Sequence, residues 1–432
     1  MFVCDNVNVN EEGHLTFAGQ DTTQLAAKYG TPLYLMDEEK IRENCRVYKK
    51  AFEEYFGENA LPLFASKAAS FKRLYEIMKE EKMGIDVVSS GEIYTAVKAG
   101  FNMENAYFHS NNKTDADIAY AMEVGVGYFV VDNIEELKVI SSTAAADGKK
   151  QKILLRITPG IDPHTFEAIS TGKVDSKFGS AIETGQAEEI TRQALELPGI
   201  ELCGFHCHIG SQIFETEPFY KAAEVMLEFI GDMKEKLGFT ALQLNLGGGY
   251  GVRYTEADPV FDIAGSIKEV ARFVKEKSEK IGINPPKILM EPGRSIVANA
   301  GMTLYTAGTV KIIPGFKSYV SIDGGMPDNP RYALYKSAYT VLNASRMNGK
   351  SDFVCSVVGR CCESGDIIQE NVPLVKPERG DTVAVLTTGA YNYSMASNYN
   401  RIGKPPVVMI GGGKDYVAVK RETLEDIARN DV

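Results

Sequence analysis

Leu63-Phe64-Ala65-Ser66-Lys67 is an apolar run that ends abruptly on a positive charge. A strand buried on both faces reads as continuous apolar sequence, because neither face meets water. Seven further runs of this kind follow, at 85–88, 106–109, 128–132, 153–157, 202–209, 242–246 and 288–291. Their ends carry Ser89, His109, Asp132, Arg156, His208, Gly247-Gly248-Gly249 and Glu291. Most of the gaps hold an amphipathic helical pattern. Ile118, Ala121 and Met122 stand at i, i+3 and i+4 behind the third run, and Ile267, Val270, Ala271 and Val274 precede the eighth. Strand and helix in alternation imply a parallel sheet. A doubly wound open sheet shares that periodicity. The count of eight favours closure into a (β/α)8 TIM-type barrel, with the polar ends gathered on its carboxyl-terminal rim.

The alternation stops near Ala300. Beyond it come short β-branched runs at 309–313, 319–322, 353–358, 382–386 and 407–410, separated by Gly, Pro, Asn and Asp. That pattern predicts a mostly antiparallel β domain over 301–432 after a barrel over 35–300. Residues 1–34 hold similar short runs, at 15–17 and 33–35, and are expected to join the second domain. The polar stretch 159–180 is an insertion at the barrel rim, where long loops are often functional. A chain of 432 residues has room for two domains and a large core. Its net charge of −11 argues against a nucleic-acid or anionic-membrane partner. Seven scattered cysteines suit reduced thiols in a cytoplasm better than a secreted disulfide framework. The first residues lack the basic flank and apolar run of a signal peptide, and no apolar stretch is long enough for a membrane span.

Several of these residues read two ways when taken alone. Lys67 is either a solvated lysine or, set among apolar walls, an amine able to lose its charge and attack an aldehyde. Glu291, in Glu291-Pro292-Gly293-Arg294, suits a pyridine nitrogen or a helix N-terminus. The cysteines and histidines of 202–209 invite a zinc reading. Strand alternation places Cys203 and Cys207 on one face and His206 and His208 on the other, which works against a single tetrahedral site. His208 is then a partner for a flat cofactor ring or one of two hydrogen-bonded core histidines. Gly210-Ser211 and Gly247-Gly248-Gly249 offer N–H groups and a hydroxyl suited to a phosphate, or are ordinary tight turns. In 359–366, Cys362 and Glu363 set a thiol beside a carboxylate, as a proton donor and an ammonium grip or as a structural turn. Arg331 and Tyr335 could hold a carboxylate or serve an exposed ion pair. Tyr391, in Gly389-Ala390-Tyr391, adds a phenol or a core tyrosine.

Taken together these motifs are similar to the alanine-racemase-like barrel family of pyridoxal-phosphate enzymes, and within it to the basic amino-acid decarboxylases that act on diaminopimelate. The resemblance runs from Pro32-Leu33-Tyr34 to the tyrosines and asparagines of 391–400. It rests on Gly204-Phe205-His206-Cys207-His208-Ile209-Gly210-Ser211-Gln212, Glu291-Pro292-Gly293-Arg294, Asp323-Gly324-Gly325-Met326-Pro327-Asp328-Asn329-Pro330-Arg331 and Cys362-Glu363-Ser364-Gly365-Asp366. The resemblance implies that Lys67 carries pyridoxal 5'-phosphate, His208 stacks on its ring and Glu291 partners its nitrogen. Ser211, Gly247, Gly248, Gly249, Gly293 and Arg294 would hold the phosphate. Arg294, Arg331 and Tyr335 would take the substrate's distal carboxylate, and Glu363 its distal amino group. Cys362 would protonate Cα, and Tyr391 would touch cofactor or substrate. No metal is implied. Cys362 and Glu363 would serve the second subunit of a homodimer. The lysine motif reads Phe-Ala-Ser-Lys-Ala where relatives more often have Tyr-Ala-Val-Lys-Ala. In the rim insertion, Phe166 and Ala168 replace His and Tyr.

The expected reaction is decarboxylation of meso-2,6-diaminoheptanedioate to L-lysine. The rivals are the same chemistry on ornithine, lysine, arginine or carboxynorspermidine, a non-catalytic regulatory binding protein of the same fold, and an amino-acid racemase.

Overall fold

The apolar runs become eight parallel strands: β1 (Leu61–Ala65), β2 (Gly84–Val87), β3 (Ala106–Phe108), β4 (Tyr128–Val131), β5 (Gln151–Thr158), β6 (Ile200–His206), β7 (Gln243–Asn245) and β8 (Lys287–Met290). Each pairs in parallel with the next, and β8 returns to β1 through Leu289 opposite Leu61. An open sheet would leave two edges, so the closed barrel replaces the doubly wound alternative. The structure is a computed structural model that describes residues 2–57, 60–161 and 176–432. Most of the rim insertion, including Phe166 and Ala168, lies outside the described residues. The chain divides into two compact units, Asn44–Gly251 with Phe261–Gly293, and Met1–Glu43 with Val252–Val260 and Arg294–Val432.

The barrel interior is built in layers. Leu63, Tyr107, Val130, Leu154, Cys203 and Leu289 form one apolar cluster. Gln243 joins them by accepting from the Tyr107 hydroxyl at 3.1 Å. A Cβ on Gly84 would meet Leu63 at 2.4 Å, so β2 contributes backbone alone. Each large apolar side chain in such a layer contributes about 1.5–3 kcal/mol by leaving water. Alternation along a strand puts the next inward position two residues on. That step names Ala65, Asp86, His109, Asp132, Arg156, Asn245 and Glu291. In β6 the step is three, from Cys203 to His206, because the register shifts between Leu202 and Gly204. A β-bulge inserts one residue and carries Cys203 to the interior. The simple alternation read from 202–209, with Cys203 opposite the histidines, is corrected by that bulge.

Helices close the outer ring where the sequence caps them. Asp262 accepts from the Gly265 N–H at the start of Ile263–Ile281, and Gly282 ends that helix in the left-handed region at φ 69°. Ile267, Val270, Ala271 and Val274 are buried along its inner stripe. Ser89, in the loop after β2, caps Ser90–Lys98 by accepting from the Glu92 N–H.

In the second unit, Leu33–Asp37 runs antiparallel to Gly301–Ile313 and parallel to Val407–Gly411. Gly301–Ile313 also pairs antiparallel with Lys317–Ile322 and Thr382–Leu386. Phe353–Val358 joins Lys317–Ile322 in parallel and Ile367–Leu374 antiparallel. The sheet is mostly antiparallel. Leu33, Leu35, Met302, Leu304, Ala384, Leu386, Val408 and Ile410 share one core with Leu15 and Phe17 from the amino-terminal segment.

Candidate active site

The second interior layer of the barrel is a buried polar ring centred on Glu291. Asn245 Nδ2 donates to Glu291 Oε1 at 2.6 Å, and His206 Nε2 lies 3.1 Å from Oε2. His109 Nε2 approaches Oε1 to 2.7 Å, off the line of a hydrogen bond, and lies 4.0 Å from Asp86 Oδ1. Glu291 is 7% exposed and His206 1%. Burial opposes charge on Glu291, but the two histidines outweigh it and hold the carboxyl well below its usual range. Burial pulls His206 down to about 4, so its ring is neutral near pH 7. Burial raises Asp86, with Glu291 adding to the effect and His109 opposing it. The ring is thus an ionised glutamate ringed by donors, with a second carboxylate beside it.

One further two-residue step up the strands reaches Lys67, His208, Gly247 and Gly293. Lys67 lies in the short 3-10 turn Ser66–Ala68 and is exposed between buried neighbours. Its charge acts on Asp86, Glu92 and His208. His208 is half-buried and held well below its ordinary value, first by desolvation and then by Lys67 and Arg156. Gly247 has φ +69°, and a Cβ there would meet the Cys207 carbonyl and His208 Nδ1, both at 2.7 Å. On Gly248 a Cβ would fall 2.2 Å from the Glu291 carbonyl oxygen. Only glycine lets these backbones meet. The Glu291 N–H donates to the Gly247 carbonyl at 2.8 Å, and the Ala65 N–H to the Pro292 carbonyl at 3.0 Å, tying the lysine, triplet and Gly293 turns into one rim. Ser211 is half-buried in the turn after Gly210.

Zinc finds no cysteine here. The described residues close enough to ligate a metal are His109, His206 and Glu291, and separately Glu12, His14 and Asp21. The Cys203 and Cys207 thiols are pushed up to about 11 and about 12, chiefly by burial, and stay protonated.

The other unit gathers a second set. Arg294 and Arg331 are 6% and 7% exposed, and both guanidinium groups face the Tyr391 ring, at 4.8 and 5.0 Å from its centroid. Arg294 Nη1 donates to the Tyr254 hydroxyl at 2.7 Å. Arg331 lies over Tyr335 at 5.3 Å, and among the described residues no carboxylate pairs with it. Tyr391 is held at φ +69°, strained for a bulky side chain. Cys362 and Glu363 sit elsewhere in this unit, on an exposed turn. Buried Asp366 shapes that turn by accepting from the Cys361 N–H at 2.7 Å and the Met326 N–H at 2.6 Å. The Cys362 N–H donates to Asn400 Oδ1 at 3.0 Å, and the Tyr399 hydroxyl lies 3.5 Å from Glu363.

Sequence reasoning put His109 among the polar strand ends of the rim without giving it a role, and did not assign Asn245 or Asp86 to the site. Counting two residues up from Tyr107, Gln243 and Gly84 would have found all three.

The family model described as "Pyridoxal-dependent decarboxylase, pyridoxal binding domain" matches residues 38–298. The diaminopimelate decarboxylase of Bacillus subtilis (strain 168) is 44% identical over 432 residues, 100% of this chain and 98% of the relative. That of Bacillus methanolicus is 45% identical over 424 residues, 98% of each. The chain belongs to the diaminopimelate decarboxylase family. Among solved structures, the diaminopimelate decarboxylase from M. jannaschii in complex with L-lysine has a TM-score of 0.92 at 34% identity, covering 100% of this chain and 99% of that one. Membership of the diaminopimelate decarboxylase family accounts for an amine, an ionised carboxylate and glycine-rich turns sharing one barrel rim.

Proposed function

We propose that the chain converts meso-2,6-diaminoheptanedioate into L-lysine and carbon dioxide, with pyridoxal 5'-phosphate as its cofactor. The observation that carries this reading is Arg331, a buried cation beside Arg294 and Tyr391 that has no carboxylate partner among the described residues. A buried charge without a partner is costly. A substrate that brings its own distal carboxylate removes that cost, whereas ornithine, lysine and arginine bring none.

The residues present fit the cofactor. Glu291 is buried and ionised, as a protonated pyridine nitrogen requires, and Lys67 offers the amine of the covalent anchor. When bound, pyridoxal phosphate supplies an electron sink for the pair left as the Cα–carboxylate bond breaks. Glu291 holds the proton on the pyridine nitrogen. His208, half-buried beside the triplet turn, would stack on the cofactor ring and shield it from water. Ser211, Gly247, Gly248, Gly249, Gly293 and Arg294 would hold the phosphate, through N–H, hydroxyl and guanidinium donors. Arg294, Arg331 and Tyr335 bind the distal carboxylate, Tyr391 lines the pocket and Glu363 grips the distal ammonium. Fixing the remote end aligns the scissile bond and contributes to rate as well as affinity. As carbon dioxide departs, Cys362 Sγ gives its proton to Cα, and solvent restores it.

The exposure of Cys362 and Glu363 favours their serving a second copy of the chain, and we assign a homodimer. The barrel over 35–300 would be the cofactor domain, and 301–432 with 1–34 the β domain. None of the seven cysteines is in a disulfide, which favours the cytoplasm. No helix among the described residues is long and apolar enough to cross a membrane.

Carbon dioxide release from meso-diaminopimelate, L-ornithine, L-lysine and L-arginine tests the assignment, with Lys67→Ala as control. Release from the first alone, with lysine as product, is expected. Equal or faster turnover of L-lysine would overturn it.

A further inference from the structure

His109 comes from the end of β3, far in sequence from Glu291 after β8. A single nitrogen, Nε2, faces two buried carboxylates, Glu291 at 2.7 Å and Asp86 at 4.0 Å. All three side chains are nearly sealed from water, at 7% exposure for His109 and Glu291 and 5% for Asp86. Two buried carboxylates this close repel, and the proton that relieves them can settle on either. Which one keeps the charge matters, because only a charged Glu291 can partner a protonated pyridine nitrogen.

We propose that His109 is a positioning residue: its Nε2, shared between Asp86 and Glu291, keeps the carboxylate charge on Glu291, beside the cofactor nitrogen. The inference rests on the reading of this rim as the pyridoxal-phosphate site. The remaining neighbours do not replace it. Asn245 and His206 reach Glu291 but not Asp86, and the Arg156 charge acts most on Asp132, 4.0 Å away, and less on Glu291 and Asp86. His206 meets the His109 ring edge-on, with centroids 4.8 Å apart, and so holds it in place. The Lys67 charge, from the turn after β1, also acts on Asp86, and Lys67 becomes occupied when it anchors the cofactor.

The test compares His109→Phe with His109→Gln in the full chain. Phenylalanine fills the ring's volume without a donor, while glutamine restores an N–H at about the same reach. Each cofactor-free protein is titrated with pyridoxal phosphate, and affinity and the visible absorption band of the complex are read. The thermal midpoint of each cofactor-free protein is recorded alongside. His109→Phe is expected to bind about tenfold or more weakly, because Glu291 loses the imidazole nitrogen 2.7 Å from its carboxylate. Its visible band should shift, while His109→Gln recovers most of both properties. Unchanged affinity and band in His109→Phe would overturn the proposal. So would equal impairment of the two variants, which would mean that packing, not the donor, is what matters. If the unaltered protein forms no visible band with pyridoxal phosphate, the underlying cofactor reading fails instead. That outcome is seen before any variant is compared.

Discussion

Arg331 is a cation folded out of water beside the Tyr335 and Tyr391 rings, with no acid to balance it among the described residues. Such a group stabilises nothing by itself, so its value lies in what it receives. Arg331→Met should therefore lower kcat/KM for meso-diaminopimelate by about 10–100-fold, mostly through KM, since a hydrogen bond to a charged group is worth about 1.5–3 kcal/mol. Steady-state kinetics decides it: an unchanged KM would separate Arg331 from the substrate. The residues of the substrate set were legible because they sit in compact motifs, Arg331 within 323–331 and Cys362 within 359–366. Those around Glu291 were harder. His109, Asn245 and His206 meet that carboxylate from three strands scattered over the chain, and each alone looks like an ordinary strand end. Only the closed barrel brings them together.

Among elements, the eight strands announced themselves because most of their residues are buried and their runs are mostly apolar, with Asp86 in β2 and Gln243 and Asn245 in β7 as buried polar exceptions. What the pattern concealed was a local slip. One bulged residue at the Leu202–Gly204 shift moves Cys203 inward and changes the parity that a strict alternation assigns. A second element-level device lies beside His109. Lys113 Nζ, with a side chain wholly shielded, donates to Glu136 Oε1 at 2.8 Å, to the Val130 carbonyl at 2.7 Å and to the Ser110 carbonyl at 3.3 Å. It pins the loop that follows β3 to strand β4 and to helix Ile134–Ala146. Burial pulls Lys113 down and pushes Glu136 up, while each partner opposes the effect on the other. Removing one partner strands the other, so Glu136→Ala should destabilise the barrel by about 3–5 kcal/mol. The double variant Lys113→Met/Glu136→Leu should cost less than that single change. Urea midpoints of the three proteins check both statements, and a double variant as weak as the single would refute the account.

For the whole molecule, the proposed homodimer predicts complementation. Lys67→Ala and Cys362→Ala should each be nearly inactive. If Cys362 serves its partner's site, remixing the two should restore about one quarter of normal activity, because about half the dimers are mixed and each has one intact site of two. No recovery would put both residues in the same chain's site. The sequence could suggest this sharing only through a family resemblance, since no spacing along one chain encodes where a second chain docks. The strand Leu33–Asp37 carries a consequence of another kind. Both strands that flank it, Gly301–Ile313 and Val407–Gly411, lie beyond the entire barrel in the chain. On the ribosome, at about 5–20 residues per second, this apolar segment emerges early and waits for roughly tens of seconds before its neighbours exist. A message cut short before residue 407 would leave it with one edge open for good. Truncated products should then be sticky rather than merely inactive, through the exposed edge that such a strand presents.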